Sequence, residues 1–345
     1  MLLVVNAGSS SLKVALFDGL MQVRKGQVGE LGPGGHKAAL ERLLGDGFAQ
    51  GMTAAAHRVV HGGARLTTAV RLDAGVLEEI EACVPLAPLH NPANLQAIRA
   101  LATLAPNLPQ YASFDTGFHA TNPEVARRYA LPPEAEALGL RRYGFHGLSY
   151  AALVRRLPEV AGYLPDRLLA LHLGNGASLC GIVQGRSVAT TMGYSPLDGL
   201  TMGTRTGAID GNAVLRLAEV HGIAEAGRIL NRESGLLGLG GTSDMRALRA
   251  ADTPQARFAV QHFCYWAVRH AGSMIAAMAG LDAVVFTGGI GENDAHIRAT
   301  ILQDLDFVAK GKPHWVIEAD EERQIAAEAM TLMHSGTAAE TVPSA

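Results

Sequence analysis

Four short stretches of the sequence place charged side chains beside glycine and aromatic residues. Arg58 lies in HRVVHGG, Asp115 and His119 lie in FDTGFH, His146 lies in RRYGFHG, and Arg205 lies in TMGTRTG. Any one of them alone is typical of a structural polar side chain. Together, two arginines, a histidine and an acid supply what phosphoryl transfer requires, because its transition state spreads negative charge over three oxygens and is stabilised mainly by cations and positioning.

Three glycine-rich turns offer places where phosphate can bind. They follow apolar segments and cover residues 6–11, 174–178 and 288–293. Glycine allows backbone N–H groups to converge on an anion, and a following helix N-terminus adds a favourable field. In the first turn, VVNAGSSSLK, serine hydroxyls and Lys13 would complete a phosphate cradle. Three such turns in one chain predict a nucleotide-binding cleft.

Other sites with similar patterns fit the sequence less well. No GxxxxGK[ST] motif occurs, which excludes a P-loop. GGIGEN resembles a dinucleotide-binding fingerprint but lacks the third glycine, so a Rossmann site is the weaker alternative. His57 and His61 are four residues apart, yet the valines between them and the glycines after them favour a strand and turn over a metal pair.

The composition is that of a globular protein without a large charged surface. Of 345 residues, 48% are hydrophobic and 18% are charged, and the formal net charge is −3. This balance gives no basic surface for nucleic acid, so local arginines have to bind any anionic ligand. Three widely separated cysteines without a CxxC pair are typical of buried thiols in a reducing compartment. No segment has the pattern of a signal peptide or a membrane span, and we expect a cytoplasmic protein that binds neither nucleic acid nor membrane.

The two halves of the chain begin with the same pattern. LLVVNAGSSSLKVALFDG starts at Leu2 and LLALHLGNGASLCGIVQG starts at Leu168, and each contains an apolar strand, a small-residue turn and a second apolar strand. The pattern predicts duplicated α/β domains that each open with a hairpin and face one another across a cleft. Coincidence is the alternative, since short hairpins are common. Further along, Asn91 is expected to cap a helix that begins at Pro92, and residues 281–293 are expected to form a buried strand, a glycine loop and a helix.

Nine motifs, in order along nearly the whole chain, resemble those of the acetate kinase family. They are VVNAGSSSLK, HRVVHGG, PLHNPANL, FDTGFH, RRYGFHG, HLGNGAS, SPLDGLTMGTRTG, TSDMR and FTGGIGEN. The resemblance implies an actin-like (ribonuclease H-like) α/β fold, shared with Hsp70 and sugar kinases, in which two duplicated ATPase domains surround a nucleotide cleft. It implies a first domain of residues 1–147, onto which a C-terminal helix at about 322–340 packs back, and a nucleotide-binding domain of residues 148–321.

The activity implied by the resemblance is reversible, Mg²⁺-dependent phosphoryl transfer from ATP to acetate, giving ADP and acetyl phosphate by direct in-line transfer. Mn²⁺ is an alternative metal, and a homodimer is the implied assembly. Two other functions stay open. One is a relative that prefers propionate or butyrate, and the other is a non-catalytic ATP switch of the actin or Hsp70 type.

The resemblance also implies a role for each matching residue. Asp115, His146 and Arg205 would surround the transferring phosphoryl group, while Asn6 and Glu321 would hold the metal. Arg58 would bind the acetate carboxylate, and the pocket for its methyl group would be formed by Val60, Leu89, Phe145 and Pro196. The nucleotide would be contacted by Ser9, Ser11, Lys13, His172, Leu173, Gly174, Asn175, Gly176, Asp244, Met245, Arg246, Gly289, Ile290, Gly291, Glu292 and Asn293.

The sequence departs from the family pattern at three positions and in two segments. Gly117 stands where alanine is usual, and Ala208 and Gly211 stand where aspartate and proline are usual. The chain is shorter than typical members at about 20–56 and 294–320. Both segments are peripheral to the motifs, so we expect activity to survive, with effects confined to dimer contacts, the hinge and the adenine rim.

Overall fold

The structure, a computed structural model, describes residues 1–8, 11–32, 34–48 and 50–339. The strands assigned in these ranges are β1 (Leu2–Ala7), β2 (Leu12–Asp18), β3 (Met21–Val28), β4 (Ala54–Val59), β5 (Val70–Arg71), β6 (Gln110–Phe114), β7 (Arg167–Leu173), β8 (Ala177–Val183), β9 (Arg186–Thr190), β10 (Ala283–Thr287) and β11 (His314–Val316). The α-helices are α1 (His36–Gly45), α2 (Ala74–Ala82), α3 (Asn91–Leu104), α4 (Glu124–Arg127), α5 (Pro133–Ala137), α6 (Gly147–Ala161), α7 (Gly211–His221), α8 (Ile223–Arg228), α9 (Gly235–Gly240), α10 (Met245–Ala251), α11 (Pro254–Ala277), α12 (Gly288–Asn293), α13 (Ala295–Asp304), α14 (Asp306–Ala309) and α15 (Glu321–Ala339).

The chain divides into two compact units. The first unit comprises Met1–Ala120, Gly147–Ala152 and the chain from Asp320, and the second comprises Thr121–His146 and Leu153–Ala319. The first unit contains a six-stranded sheet in the order β3-β2-β1-β4-β6-β5. In it, β1 pairs antiparallel with β2 and parallel with β4, and β4 pairs parallel with β6.

The sheet of the second unit repeats this plan. Its order is β11-β10-β7-β8-β9, with β7 antiparallel to β8 and parallel to β10, and β10 parallel to β11. Taken from the other edge, β9-β8-β7-β10-β11 therefore matches β3-β2-β1-β4-β6 in order and direction. The duplicated α/β fold predicted from the two similar hairpins is confirmed.

The first sheet is covered on both faces. Alternate strand residues point to opposite faces, so Leu3 and Val5 pack with Leu40 of α1 and Leu101 of α3. The other face carries Leu2, Val4 and Phe17, which pack with Ile325 and Ala326 of the C-terminal helix α15. The helix that ends the described chain thus contributes to the core beneath β1.

Residues 121–146 belong to the second unit by their contacts, whereas the sequence predicted a first domain ending at residue 147. Thr121 Oγ1 donates to the carbonyl of Ser187 at 2.8 Å, and Ser187 Oγ donates to Asn122 Oδ1 at 2.7 Å. Arg142 forms an ion pair with Asp198 at 2.9 Å. These bonds tie the segment to strand β9 and the loop that follows it. The predicted domain limits remain a prediction.

Two local structures differ from the sequence prediction. Asn91 is the first residue of α3 and not its cap, since its side-chain amide is used to hold the backbone of His61. No glycine loop separates β10 from the next helix, because α12 begins at Gly288. Gly288 has φ +78°, a left-handed conformation that favours glycine and lets the buried strand turn directly into the helix.

The cysteines and the helices also bear on the class of protein. Cys83, Cys180 and Cys264 are all buried thiols, as the sequence predicted, and they form no disulfide within the described residues. Within the described ranges, no helix combines the length and the apolar character that crossing a membrane requires.

Candidate active site

Arg58 is surrounded by oxygen atoms in the first unit. Its Nε and Nη2 donate to the two carboxylate oxygens of Asp115 at 3.0 and 2.5 Å, and its Nη1 donates to Asn6 Oδ1 at 3.2 Å. Glu321 Oε2 lies 3.7 Å from Arg58 Nε. We call Asn6, Arg58, Asp115 and Glu321 the Arg58 group. The structure thus brings together four residues to which the sequence assigned substrate, metal and catalytic roles.

Neighbouring strands deliver these side chains to one edge of the first sheet. Asn6 is the penultimate residue of β1, Arg58 is the penultimate residue of β4, and Asp115 follows β6 directly. Because β1, β4 and β6 are parallel neighbours, their carboxyl ends lie at the same edge. This edge is where open α/β sheets bind ligands.

Burial and charge act against each other in the Arg58 group. The Asp115 side chain is only 1% exposed and that of Arg58 is 21% exposed. Burial alone would lower the pKa of Arg58, but the carboxylates of Asp115 and Glu321 outweigh it, so the pKa lies above its ordinary value. The pKa of Glu321 lies above its ordinary value. Burial is the main cause and the neighbouring Glu322 adds to it, and together they outweigh the lowering by Arg58 and Lys13. A further cation beside Glu321 would therefore favour its ionised form.

The donors of the Arg58 group fit Mg²⁺. They are two carboxylates and one amide oxygen, and hard oxygen donors are the ligands that this ion prefers. Mg²⁺ is usually bound by one or two carboxylates together with substrate phosphates and water, and the Arg58 group supplies two carboxylates. Among the described residues, no cluster of three or more His, Cys, Asp or Glu side chains could hold a metal.

The first glycine turn places a lysine beside this group. Lys13 lies directly opposite Asn6 in the β1–β2 ladder, and residues paired in this way point to the same face. Its side chain is exposed, and Ser11 is half-buried. The N–H of Gly8 donates to the carbonyl of Ser11 at 2.8 Å and closes the turn. Ser9, the remaining predicted residue of this turn, lies outside the described residues.

His146 is the centre of a second group, in the second unit. It has a left-handed backbone, φ +59°, immediately before α6. Its ring stacks on that of His172 with centroids 4.1 Å apart, and its Nδ1 shares a 2.9 Å hydrogen bond with Ser178 Oγ. A methyl group added to Gly176 would lie 3.2 Å from His146 Nε2 and 3.7 Å from Arg205 Nη1. The imidazole and the guanidinium thus converge on one point, which a glycine leaves open.

Arg205 has no carboxylate partner within the part of the chain that the structure describes. Its Nη1 donates to the carbonyl of Pro196 at 3.2 Å and approaches Met202 Sδ at 4.0 Å. Burial lowers the pKa of this guanidinium. A partly buried cation without a counter-ion is costly, and an anionic ligand would relieve that cost.

A cavity of about 420 Å³ in the second unit is lined mostly by residues to which the sequence assigned nucleotide contacts. Predicted residues in its wall are Gly174, Asn175, Asp244, Met245, Arg246, Gly289, Ile290 and Asn293. They come from the turn after β7 and the first turns of α10 and α12. Asp244 caps α10 by accepting a hydrogen bond from Arg246 N at 2.9 Å, which fixes the start of that helix at the cavity.

Five other predicted nucleotide residues of the second unit do not line this cavity, and two of them, His172 and Gly176, lie beside His146. Leu173 is a buried strand residue, and Gly291 is buried in α12. Glu292 Oε1 accepts hydrogen bonds from Gly288 N at 2.9 Å and from Ala319 N at 3.0 Å. Its carboxylate therefore holds the strand-to-helix turn in place. Nothing in the motif GGIGEN indicates that its acid would face the backbone.

The four residues predicted for the methyl pocket differ in exposure. In the first unit, Val60 is 5% exposed and Leu89 is 43% exposed. In the second unit, Phe145 is buried, and Pro196 is half-buried with its carbonyl bonded to Arg205. Val60 stands two residues after Arg58 in the chain. Of the four residues, it is therefore the one that the sequence itself keeps close to the Arg58 group.

Sequence reasoning missed some residues of these sites. Arg249 and Asp294 line the cavity of about 420 Å³ and form an ion pair at 2.8 Å. Arg249 stands three residues after the TSDMR motif and Asp294 directly follows GGIGEN. Their position beside two predicted motifs is the signal that could have identified them.

His57 and His61 are structural, and the metal pair considered from their spacing does not form a site. His57 Nε2 shares a 2.7 Å hydrogen bond with Gln110 Oε1, and His61 Nδ1 accepts from Gly63 N at 2.9 Å. Burial lowers the pKa of each imidazole from 6.5 to about 4. Both residues are therefore neutral in the folded protein at pH 7.

The buried histidines predict acid-sensitive stability. His57 takes up a proton below about pH 6.5 in the unfolded chain but only below about pH 4 in the folded protein. Acid therefore favours the unfolded chain, and stability is lost as the pH falls from about 6.5 to about 4. Between pH 7 and pH 5, we expect His57 alone to account for a loss of about 2 kcal/mol. Urea unfolding at both pH values checks this. The double variant His57→Phe with Gln110→Leu should lose correspondingly less of its free energy of unfolding between the two pH values. Replacing the exposed His314 by glutamine should leave the difference in unfolding free energy between pH 7 and pH 5 unchanged.

Comparisons with known proteins show the family to which the chain belongs. The model of the Acetokinase family matches residues 36–333. The chain is 45% identical over 344 residues to an acetate kinase from Rhodopseudomonas palustris, covering 89% of this chain and 86% of the relative. It is similar to the crystal structure of acetate kinase from Porphyromonas gingivalis, with a TM-score of 0.87, 33% identity, and coverage of 96% and 99% of the two chains. It is also similar to a propionate kinase from Francisella tularensis, with a TM-score of 0.88, 34% identity, and coverage of 95% and 98%. Because the family model and these relatives each extend over most of the sequence, the chain belongs to the acetokinase family.

Proposed function

We propose that this protein transfers the γ-phosphoryl group of ATP to acetate, reversibly, to give ADP and acetyl phosphate by direct in-line transfer. The observation that carries the proposal is Arg205, a partly buried guanidinium that has no carboxylate partner among the described residues and converges with His146 beside Gly176. Such a pair of donors suits a group that gains negative charge on its equatorial oxygens during transfer.

Arg58 binds the acetate carboxylate in this proposal. Acetate is already ionised at pH 7, because its pKa is roughly 4, and it needs no general base to become a nucleophile. Asp115 is therefore not a proton acceptor in the forward direction. Its two bonds to Arg58 hold the guanidinium in place, and it orients the metal or a water bound to it.

Asn6 and Glu321 hold the metal, Mg²⁺ or alternatively Mn²⁺, with their side-chain oxygens. When bound, the metal supplies neutralisation of phosphate charge, which lets the anionic carboxylate approach the anionic γ-phosphate. Lys13 adds a further positive charge from the opposite strand. Within the Arg58 group, the two carboxylates of Asp115 and Glu321 outnumber the single positive charge of Arg58, so the metal is needed for a net positive field.

The nucleotide binds to the second unit, with Gly174 and Asn175 of the cavity wall at its phosphates and Asp244 to Arg246 near adenine and ribose. Gly176, which follows Asn175 and lies beside His146 and Arg205, is also assigned to the phosphates. Gly289, Ile290 and Asn293 form the other wall. We assign Glu292 and Leu173 to supporting this wall and not to contacting the nucleotide, since their side chains are engaged elsewhere. A homodimer in the cytoplasm completes the proposal and is based on family membership.

A preference for propionate is the second candidate within this chemistry. The structural similarity to a propionate kinase favours it, and an apolar wall discriminates one methylene by only about 1–3 kcal/mol. We expect kcat/KM to be highest for acetate and about 10- to 100-fold lower for propionate, with butyrate lower still. ADP formation with Mg-ATP and each acid in turn measures this. A maximum at propionate or butyrate would replace the assignment to acetate, and no stimulation by any of the three acids would reject the proposed function.

A further inference from the structure

We propose that Asn94 is a positioning residue that holds apart the carboxyl ends of β1 and β4 and thereby sets the distance between Asn6 and Arg58. The inference rests on the proposed function, because it concerns the geometry of the same site. It goes beyond that function by assigning a task to Asn94 of the PLHNPANL motif, in which only Leu89 was given a role in the reaction.

The two strands stop pairing just before the functional residues. The parallel ladder between β1 and β4 runs from Leu2 opposite Ala54 to Val5 opposite His57. Asn6 and Arg58 are the next residues on the two strands and are outside the ladder. Past the end of the ladder, the backbone groups of Ala7 and Val60 require other hydrogen-bond partners, since buried polar groups are rarely left unpaired.

Asn94 supplies both partners. Its Nδ2 donates to the carbonyl of Ala7 at 2.7 Å, and its Oδ1 accepts from the N–H of Val60 at 3.1 Å. The side chain is 1% exposed. Asn94 thus lies between the two strand ends. It contacts Ala7, the residue after Asn6, and Val60, which stands two residues after Arg58.

The task suits asparagine in particular. A carboxamide carries one donor group and one acceptor group at fixed positions, so it can bridge a carbonyl and an N–H at the same time. Aspartate offers only acceptors when ionised and would place a negative oxygen against the carbonyl of Ala7. An alanine would leave both backbone groups buried without a partner.

Two neighbouring side chains extend the same arrangement. Asn91, one turn earlier on α3, bonds to both the N–H and the carbonyl of His61 at 3.1 and 3.0 Å. His36, on α1, has its Nε2 2.8 Å from the carbonyl of Gly8, to which it donates. The backbone on both sides of the strand ends is therefore fixed by side chains of two helices, and Asn94 alone reaches both strands among these three.

The test compares Asn94→Asp and Asn94→Ser with Gln96→Ala, an exposed amide on the same helix. We expect Asn94→Asp to lower kcat/KM for acetate about 10- to 100-fold, because the buried carbonyl of Ala7 and N–H of Val60 lose their hydrogen-bond geometry. The Mg²⁺ concentration that gives half-maximal rate should rise as well. Affinity for AMP should change little, because the proposed adenine site is formed by the second unit alone. Gln96→Ala should match the wild type in all three.

A second readout does not depend on activity. Hydrogen exchange of the Val60 N–H, measured in wild type and in both variants, should accelerate at least about tenfold in Asn94→Ser, because the acceptor is displaced. Unchanged kcat/KM and Mg²⁺ dependence in a folded variant, with only a lower melting temperature, would overturn the inference. So would unchanged protection of Val60. If the wild type itself lacked activity with acetate, the proposed function would fail while the exchange result would still decide whether Asn94 fixes the strand ends.

Discussion

Replacing Arg205 by leucine is expected to lower kcat by about 10³-fold or more, the loss that follows removal of an arginine that stabilises a transferring phosphoryl group. The guanidinium is partly buried, donates to the carbonyl of Pro196, and converges with His146 Nε2 beside Gly176. Affinity for ADP should change far less, since Arg205 does not line the cavity proposed for the nucleotide. Steady-state kinetics and ADP titration measure the two effects separately.

The melting temperature of Arg205→Leu gives a second, independent test of the role of Arg205. Burial without a carboxylate partner in the described chain already lowers the pKa of this group, so removing its charge should not lower the melting temperature. Arg205→Lys keeps a charge but loses the planar fork, and we expect it to recover only part of the rate. Arg216→Leu, at an exposed arginine of α7 in the same unit, should be kinetically normal. Turnover near the wild-type value in Arg205→Leu would refute the role given to Arg205.

The second large effect is expected at the pair formed by Arg58 and Asp115. Arg58→Gln should raise KM for acetate at least about 100-fold, because a desolvated, charge-assisted pair with the substrate carboxylate is lost. It should also destabilise the fold by about 3 kcal/mol, since Asp115 is almost completely buried and would lose its cationic partner. Substrate kinetics and urea unfolding at pH 7 give the two values.

A double variant separates binding from stability at this pair. Adding Asp115→Asn to Arg58→Gln removes the unpaired buried charge, so most of the lost stability should return. Activity should not return, because neither the substrate-binding cation nor the acid is restored. As a control, Arg99→Gln breaks an exposed ion pair with Glu81 and should cost less than about 1 kcal/mol. Recovery of KM in the double variant would show that Arg58 does not bind acetate.

Much of the site could be predicted because its residues stand in motifs that resemble those of the acetate kinase family, and the resemblance implied a role for each of them. The sequence also indicated β-rich runs that end in polar residues, but the parallel pairing that brings the ends of β1, β4 and β6 to one edge is a finding of the structure. The similar hairpins beginning at Leu2 and Leu168 predicted the repeated sheet, since local patterns determine hairpins. Each of these predictions used residues that are close together in the sequence.

The remainder depends on contacts between residues far apart in sequence. The bonding of Glu292 to the N–H of Ala319 spans 27 residues, and that of Asn94 to Ala7 spans 87. Residues 121–146 likewise join the second unit through partners at positions such as Ser187 and Asp198. No local pattern encodes such partners, so a motif can identify a residue without showing whether its side chain contacts a ligand or supports the backbone.

Trapping of the product tests the central claim most directly. Purified protein would be supplied with Mg-ATP, acetate and hydroxylamine, which converts acetyl phosphate into acetohydroxamate and releases phosphate. We predict that hydroxamate forms in an amount equal to the ADP produced, and that neither accumulates without acetate. Slow formation of ADP with no hydroxamate, whether or not acetate is present, would contradict phosphoryl transfer to acetate and would indicate a non-catalytic ATP switch with the same fold.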